Sequence, residues 1–555
     1  MERTPSLPDQ VRVPTNSHPS QLPNYGALHS GGMTPLSEQD TLDMSLYPDQ
    51  LDSSSARSFR SALGSFGRSY SRTSALYMAD NLSLSRPGTM DYGELDEEAR
   101  QDDRKHRPET DSVMSNHTNQ GIAFFPTLSR HTTLGTMILR DQYHEDVQHQ
   151  AHYVPESTFL QSVFNSVNVL VGIGALALPL GIRHAGWLIG MSVFLFCTIA
   201  TNYSAKILAR CLDAAPPGAL TYADMGAAAF GERGRGVISG VFILELFTLG
   251  VAMAVLLGDG LETLFGFDLL TTRLISFCVL TPMTFFPISK LAYASVLGVI
   301  SSTFLVVIVV LDGLTKKTHP GSLWDPMETE WIPSEPFNIP LSFGLLMAVY
   351  SGHAVFPSLY RDMAEPKTYD RMVDTTYVIT FTVYMIMAVA GYLMFGLDTM
   401  QEITQNLATT SGYTKWINQG AIYLIVLIPV AKYGLMLNPV NLSWELWLQS
   451  QSRMESWYRD HSFKKYVLST FGRVLLSAFV IYIATVFPGF DRIMALLGAL
   501  FSFGISVIFP LACYHRMYHN SMTYKDLIIN WTILIISTIL ATLGTVWSFF
   551  PVPSP

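Results

Sequence analysis

Two stretches of the sequence place glycines inside apolar segments that are long enough to cross a membrane. The first is FNSVNVLVGIGALALPLGIRHAG (Phe164 to Gly186), where Gly172 and Gly174 interrupt a helical pattern. The second is LSFGLLMAVYSGHAVFPSLYRDM (Leu341 to Met363), which is interrupted at Ser351-Gly352-His353. Irregular backbone at membrane depth is tolerated only where it is buried in protein or lines a cavity. The freed backbone groups therefore predict a binding site for a small polar solute.

The chemistry of such breaks favours a zwitterion as the ligand. The amino terminus of a half-helix presents free N–H groups and a positive dipole end, which suit a carboxylate. Unwound carbonyls at the other break accept hydrogen bonds from an ammonium group. An amino acid matches both requirements, although backbone contacts alone do not select its side chain.

Three ionisable residues within the apolar segments are candidates for moving a proton, because charges at membrane depth are costly and usually functional. His353 lies at the second break, and the alternative role for it is a neutral, hydrogen-bonded packing residue. Lys432 lies inside AIYLIVLIPVAKYGLML, where snorkelling to an interface is the alternative. Glu245 lies in GVFILELFTLG and is interpreted as a partner of Lys432, a proton relay or a protonated packing residue. By contrast, the carboxylates near segment ends (Asp259, Asp312 and Glu445) are expected to face solvent.

The composition divides the chain at about residue 156. Residues 1–156 are rich in Ser, Pro, Asp and Arg and contain no Trp, which predicts a largely disordered cytosolic tail with possible sites for kinases. Residues 157–555 carry the long apolar runs and form the predicted transmembrane domain within a lipid bilayer. The sequence has no basic patch of the kind that binds nucleic acid, so no nucleic acid partner is predicted. The four cysteines lack metal-ligand spacing and are expected to pack between helices, so no metal site is predicted.

Eleven apolar segments of roughly 20 residues follow from Ser157 onward, each long enough to span the bilayer. With the tail in the cytosol, the inner segments hold fifteen Lys and Arg residues and the outer segments hold six. This asymmetry predicts a cytosolic amino terminus, and an odd number of spans then places the carboxyl terminus in the lumen.

The two breaks occupy similar positions in segments one and six, five segments apart. Paired interruptions of this kind indicate a transporter built from inverted repeats, in a five-plus-five arrangement. The alternative is that Gly and Pro are simply frequent in membrane helices. The predicted fold is therefore an all-α polytopic membrane protein with eleven transmembrane helices, of which helices 1 and 6 are broken.

At these residues the chain resembles the amino acid/auxin permease family, through FNSVNVLVGIGALALPLGIRHAGW, SGHAVFPSLYRDMAEPKTYD and KYGLMLNPVNLSWE. Within that family it is most similar to fungal vacuolar transporters that exchange neutral amino acids for protons. The resemblance implies a LeuT-like fold and a vacuolar location. It also implies substrate binding by residues at and near the breaks, namely Asn168, Val171, Gly172, Ile173, Gly174, Ala175, Tyr350, Ser351, Gly352, His353 and Ala354.

In sodium-coupled relatives, the asparagine that matches Asn168 contributes to the ion site together with span 8. Here span 8 offers Lys432 instead of hydroxyl groups, which favours proton coupling through His353, Lys432 or Glu245. The predicted function is secondary transport of neutral amino acids into the vacuole, driven by a proton gradient and needing no other cofactor. The sequence contains no recognisable catalytic motif, so an enzyme is not predicted. A sodium-coupled symporter and an amino-acid-sensing transceptor are the alternatives.

Overall fold

The computed structural model of the 555-residue chain describes residues 157–216, 221–286, 288–450, 462–487 and 489–550, together with Ser69 and Thr73. The predictions of disorder and of kinase sites in residues 1–156 lie outside the described residues, with the exception of Ser69 and Thr73. Both of these side chains are buried, at 2% and 1% exposure.

The regular secondary structure of the described residues is helical, apart from one isolated β-bridge between Ser157 and Met363, and a non-helical connection covers residues 316–335. Fourteen α-helices of seven residues or more are numbered here in chain order. They are α1 (Phe159–Leu170), α2 (Leu178–Ala214), α3 (Tyr222–Phe265), α4 (Leu269–Met283), α5 (Ile288–Thr315), α6 (Ile339–Ala348), α7 (Phe356–Asp362), α8 (Tyr369–Phe395), α9 (Ile403–Thr409), α10 (Lys415–Ser450), α11 (Ser462–Val486), α12 (Phe490–Leu496), α13 (Phe509–Met517) and α14 (Tyr524–Ser548).

The first apolar stretch is interrupted where the glycines predict it. A capping box at Thr158 and Gln161 starts α1, since each of these two side chains bonds the backbone N–H of the other residue. The helix ends at Leu170, and Val171 and Gly172 are extended before a three-ten turn over Ile173–Ala177 leads into α2.

The second stretch is interrupted after α6. Gly352 has φ of +98°, a left-handed conformation that an L side chain rarely adopts. A short turn, His353–Val355, follows it, and α7 then begins with Pro357 in its first turn, where proline leaves no intrahelical bond unmade.

Eight helical segments in the described ranges are long and apolar enough to cross a membrane, and two shorter apolar helices accompany them. The breaks and bends change the count obtained from apolar runs alone. Gly186, for example, has φ of +67° at a bend that joins the first two predicted spans into one helical run. The chain is thus a multi-pass helical membrane protein, and the number of eleven spans stays a prediction.

The two interrupted segments lie at the centre of the helical bundle. Within the most apolar 18-residue window, 78% of the α6–α7 segment is buried, against 28% for α11 and 22% for α14. Helix α6 packs against α2 and α14, α8 packs against α1, and α10 packs against α3 and α5. The peripheral helices therefore present their apolar faces outward, as lipid requires.

Candidate functional site

The two breaks touch each other at Gly174. A Cβ atom at this position would lie 3.0 Å from the Cα atom of Val349, which is closer than ordinary van der Waals contact. Glycine therefore allows the backbone after α1 to approach the backbone after α6 without a side chain between them. This contact brings the two predicted halves of the binding site together.

Tyr384 of α8 links the same two breaks. Its hydroxyl lies 2.6 Å from the Leu170 carbonyl oxygen and 3.0 Å from the Val349 carbonyl oxygen, and the side chain is fully buried. Both carbonyls are freed by the end of a helix, so a shared O–H donor stabilises the two breaks at once. Sequence reasoning missed this residue, because a single tyrosine in an apolar segment looks like a packing residue.

Replacing Tyr384 with phenylalanine is expected to loosen both breaks, because two buried carbonyls lose their donor at a cost of about 1–3 kcal/mol. We expect substrate exchange in proteoliposomes to slow by roughly tenfold and the melting temperature to fall. Tyr482→Phe, at an exposed position on α11, is the matched control. Exchange at the wild-type rate in Tyr384→Phe would show that the hydroxyl does not hold the site.

Lys432 of α10 reaches the first break. Its Nζ atom donates a hydrogen bond of 3.4 Å to the Val171 carbonyl oxygen, and the residue is only 4% exposed. The aliphatic stem runs beside Gly298 of α5, where a Cβ atom would lie 3.0 Å from Cε. The side chain thus points inward to the interrupted backbone, and the snorkelling alternative is wrong.

The polar side chains of Asn168 and His353 are enclosed. They are 1% and 0% exposed, and neither the amide of Asn168 nor the ring nitrogens of His353 has a hydrogen-bond partner among the described residues. The His353 ring stacks on Phe356 with centroids 4.8 Å apart. Buried polar groups are normally paired, so these unpaired atoms are available to a bound polar solute or to water.

The remaining predicted binding residues are also largely enclosed. Gly172, Ser351 and Gly352 are half-buried, whereas the others are buried, namely Val171, Ile173, Gly174, Ala175, Tyr350 and Ala354. Tyr350 is held in place by its hydroxyl, which lies 2.6 Å from Thr198 Oγ1, and by stacking on Phe194 and Tyr377. The site is therefore closed in this structure.

Glu245 is buried in α3, and within the described ranges no ion pair joins it to Lys432. It is 4% exposed, and its Oε1 atom lacks a hydrogen-bond partner among the described residues. Within the same residues it forms no ion pair, so the interpretation of Glu245 as a partner of Lys432 is wrong. Its role as a relay stays a prediction.

Hydroxyl groups from Ser69 and Thr73 meet the start of the first interrupted segment and the end of the second. The Asn165 amide nitrogen donates to Ser69 Oγ at 2.9 Å and to Thr73 Oγ1 at 3.1 Å. Thr73 Oγ1 donates to Asp362 Oδ2 at 3.1 Å, and the Ser157 hydroxyl donates to the same carboxylate oxygen. These bonds join α1, α7 and the tail on one side of the site.

The expectation that three carboxylates face solvent is wrong. Glu445 is 5% exposed and forms an ion pair of 2.9 Å with Arg473, while Asp312 is 1% exposed. Asp259 forms an ion pair of 3.3 Å with Arg273, a residue with only 1% exposure. Each basic partner is distant along the sequence, so no local pattern predicted the pairing.

Long apolar helices around an enclosed polar centre, with two interrupted segments in contact, define a multi-pass membrane protein built to hold a small solute. Residues 155–550 match the family described as transmembrane amino acid transporter protein. The chain belongs to this family, and the resemblance to amino acid/auxin permeases is confirmed.

Two relatives from Arabidopsis thaliana illustrate the similarity. Amino acid transporter AVT1B is 31% identical over 413 residues, which cover 72% of this chain and 72% of the relative. Amino acid transporter AVT1C is 30% identical over 420 residues, which cover 73% of this chain and 72% of the relative. Among solved structures, a Na+-coupled sialic acid symporter in a substrate-bound, outward-open state matches with a TM-score of 0.44 and 14% identity, covering 69% of this chain and 88% of that chain.

Proposed function

We propose that this transporter exchanges neutral amino acids for protons across the vacuolar membrane and thereby loads the acidic lumen. The observation that carries the proposal is the hydrogen bond from the Lys432 ammonium to the Val171 carbonyl at the first break. A positive side-chain group here takes the place of a bound metal cation beside the interrupted backbone. When the Lys432 amine gains or loses its proton, the hydrogen bond that joins α10 to the backbone after α1 is strengthened or weakened.

The surroundings of the breaks favour a neutral substrate. Main-chain groups at Val171 to Ala175 and at Tyr350 to Ala354 suit the carboxylate and the ammonium of an amino acid. The rings of Tyr350, Phe194 and Tyr377 stack nearby and offer an apolar wall. A charged substrate side chain against such a wall would lose its hydration without gaining a partner.

The proposed mechanism uses a five-plus-five inverted repeat in which the two breaks correspond to each other. The substrate binds at the contact between them, and rocking of one repeat against the other exposes the site to each side in turn. Val349 and Gly174 lie at that contact, so the proposed cycle requires the contact to open toward each side of the membrane in turn.

The vacuolar location is supported by the proton gradient that the mechanism needs and by the resemblance to fungal vacuolar transporters. The excess of Lys and Arg on the predicted inner segments supports a cytosolic amino terminus and a lumenal carboxyl terminus. An acidic lumen then supplies protons that leave as amino acids enter.

The test is uptake by the full-length protein in proteoliposomes with an acidified interior and a panel of labelled neutral, acidic and basic amino acids. We expect the neutral amino acids to accumulate, and dissipation of the pH gradient to stop accumulation. A sodium gradient should have no effect. Accumulation driven by sodium without a pH gradient would replace this proposal with sodium-coupled symport, and saturable binding without accumulation would replace it with a sensor.

Replacing His353 with alanine is expected to reduce pH-driven accumulation by roughly 5-fold to 50-fold, and more than it reduces substrate exchange. The reason is that the buried imidazole has two free nitrogens at the second break, where a proton can be held during the cycle. Both rates are measured in the same proteoliposomes. His319→Ala serves as a control, because the His319 side chain is 61% exposed. Equal loss of both rates would assign His353 to substrate binding or folding.

A further inference from the structure

A small pocket away from the breaks lies between the end of α3, the start of α9 and one face of α10. It has room for about one water molecule. The lining residues are Asp259, Gly260, Thr263, Glu402, Thr404, Ile422 and Ile425. In the predicted topology these elements share the lumenal side of the membrane.

An arginine is fixed beside the pocket by the backbone of α3. Arg273 Nη1 donates to the carbonyl oxygens of Ala254 and Val255 at 3.2 and 3.1 Å, and Nη2 lies 3.3 Å from Asp259 Oδ1. The guanidinium fits because residue 258 is glycine: a Cβ atom there would lie 1.8 Å from Nη1. This packing keeps the positive charge of Arg273 paired with Asp259.

Glu402 places a free carboxylate oxygen at the pocket. The residue is 2% exposed, and its Oε2 atom accepts a hydrogen bond of 3.3 Å from Thr404 Oγ1. Its Oε1 atom has no hydrogen-bond partner among the described residues. A buried, unpaired carboxylate oxygen is costly when it is charged, and it is well placed to carry a proton.

The charged side chains around the pocket carry a net charge of −1, which the binding of one proton would neutralise. Asp259 on α3 and Glu402 at the start of α9 give two negative charges, against the single positive charge of Arg273 on α4. Glu262, also on α3, adds negative potential, whereas α10 contributes Ile422 and Ile425. Burial, with the charge of Asp259 as a second cause, raises the pKa of Glu402 well above its usual range.

We propose that Glu402, with Asp259 and Arg273, forms a lumenal proton-loading site for the transporter. A proton from lumenal water binds Glu402 Oε1, which brings the net charge of the three side chains from −1 to zero. In the acidic lumen this carboxyl is neutral, so its burial at the pocket between α3, α9 and α10 leaves no uncompensated charge there. The inference rests on the proposed proton coupling and adds to it a second proton site, remote from the breaks.

The experiment measures pH-driven accumulation and substrate exchange while the pH on the lumenal side is varied from about 5.5 to about 8. We expect Glu402→Gln, which mimics the protonated form, to lose the dependence on lumenal pH and to lower accumulation by roughly tenfold. Exchange should stay near the wild-type rate. Glu335→Gln, which removes an exposed carboxylate from a predicted lumenal loop, is the matched control and should leave the pH profile unchanged.

The outcomes separate this inference from the function on which it rests. If wild-type protein accumulates substrate without any response to pH, the proposed function fails. If wild-type protein responds to pH and Glu402→Gln keeps the same profile, only the proton-loading site fails. If the variant does not fold, labelling of wild-type protein with a carbodiimide, which modifies buried protonated carboxyls, decides the matter. Labelling of Glu402 that rises as the pH falls supports the inference, and labelling that is absent or independent of pH overturns it.

Discussion

Replacing Lys432 with methionine is expected to reduce pH-driven accumulation strongly while leaving the protein folded. Methionine has a similar length and flexibility, so it fills the space beside Gly298. It lacks the ammonium that donates to the Val171 carbonyl, and α10 then no longer holds the first break through a titratable group. We expect net transport to fall by roughly tenfold to a hundredfold, measured as accumulation in acidified proteoliposomes.

Lys432→Arg provides the sharper comparison, because a guanidinium stays protonated in proteins. This variant keeps a positive charge near Val171 but has no proton to release, so we expect it to bind substrate and to fail in net transport. Lys464→Met, which removes an exposed lysine from α11, is the control and should behave as wild type. A wild-type pH dependence in Lys432→Met would remove Lys432 from the coupling mechanism.

Replacing Gly174 with alanine is the second change with a large expected effect. The new Cβ atom would lie 3.0 Å from the Cα atom of Val349, and backbone has little freedom to move away. Overpacking of this kind costs about 1–3 kcal/mol, which corresponds to a loss of about 5-fold to 150-fold in an equilibrium between open and closed states. We expect substrate counterflow to fall within that range, because the two breaks no longer close on each other.

Gly240→Ala is the matched control for this substitution. Gly240 lies in α3, where an added Cβ atom would meet no atom within 4 Å, and alanine is the better helix former. We expect Gly240→Ala to transport at the wild-type rate with equal or greater thermal stability. Counterflow at the wild-type rate in Gly174→Ala would show that contact between the breaks is not part of the transport cycle.

The position of the interrupted backbone could be predicted from sequence, because the responsible residues act locally. Gly172 and Gly352 interrupt the helical pattern through their own backbone freedom, whichever helices pack around them. The same holds for the inward position of Lys432, since ionisable side chains deep in an apolar segment rarely face lipid. These features depend on one stretch of chain at a time.

Features that depend on two distant stretches could not be predicted. Tyr384 contacts Leu170 across 214 residues, and Arg473 contacts Glu445 across 28. A carboxylate near the end of an apolar segment looks solvent-exposed until its remote partner is known, which explains the wrong expectation for Glu445. The burial of Arg273 is a second case, because glycine at residue 258, in another helix, makes room for its guanidinium inside the bundle.

The hydrogen bonds from Ser69 and Thr73 have a consequence for how the contacts at Asn165 and Asp362 are occupied. About eighty residues separate Thr73 from Ser157 along the chain. A covalently attached group meets its partner at an effective concentration set by the connecting chain. Occupancy of the Asn165 and Asp362 contacts is therefore independent of how many copies of the transporter a membrane holds, and a free peptide would have to compete with groups that the same chain carries.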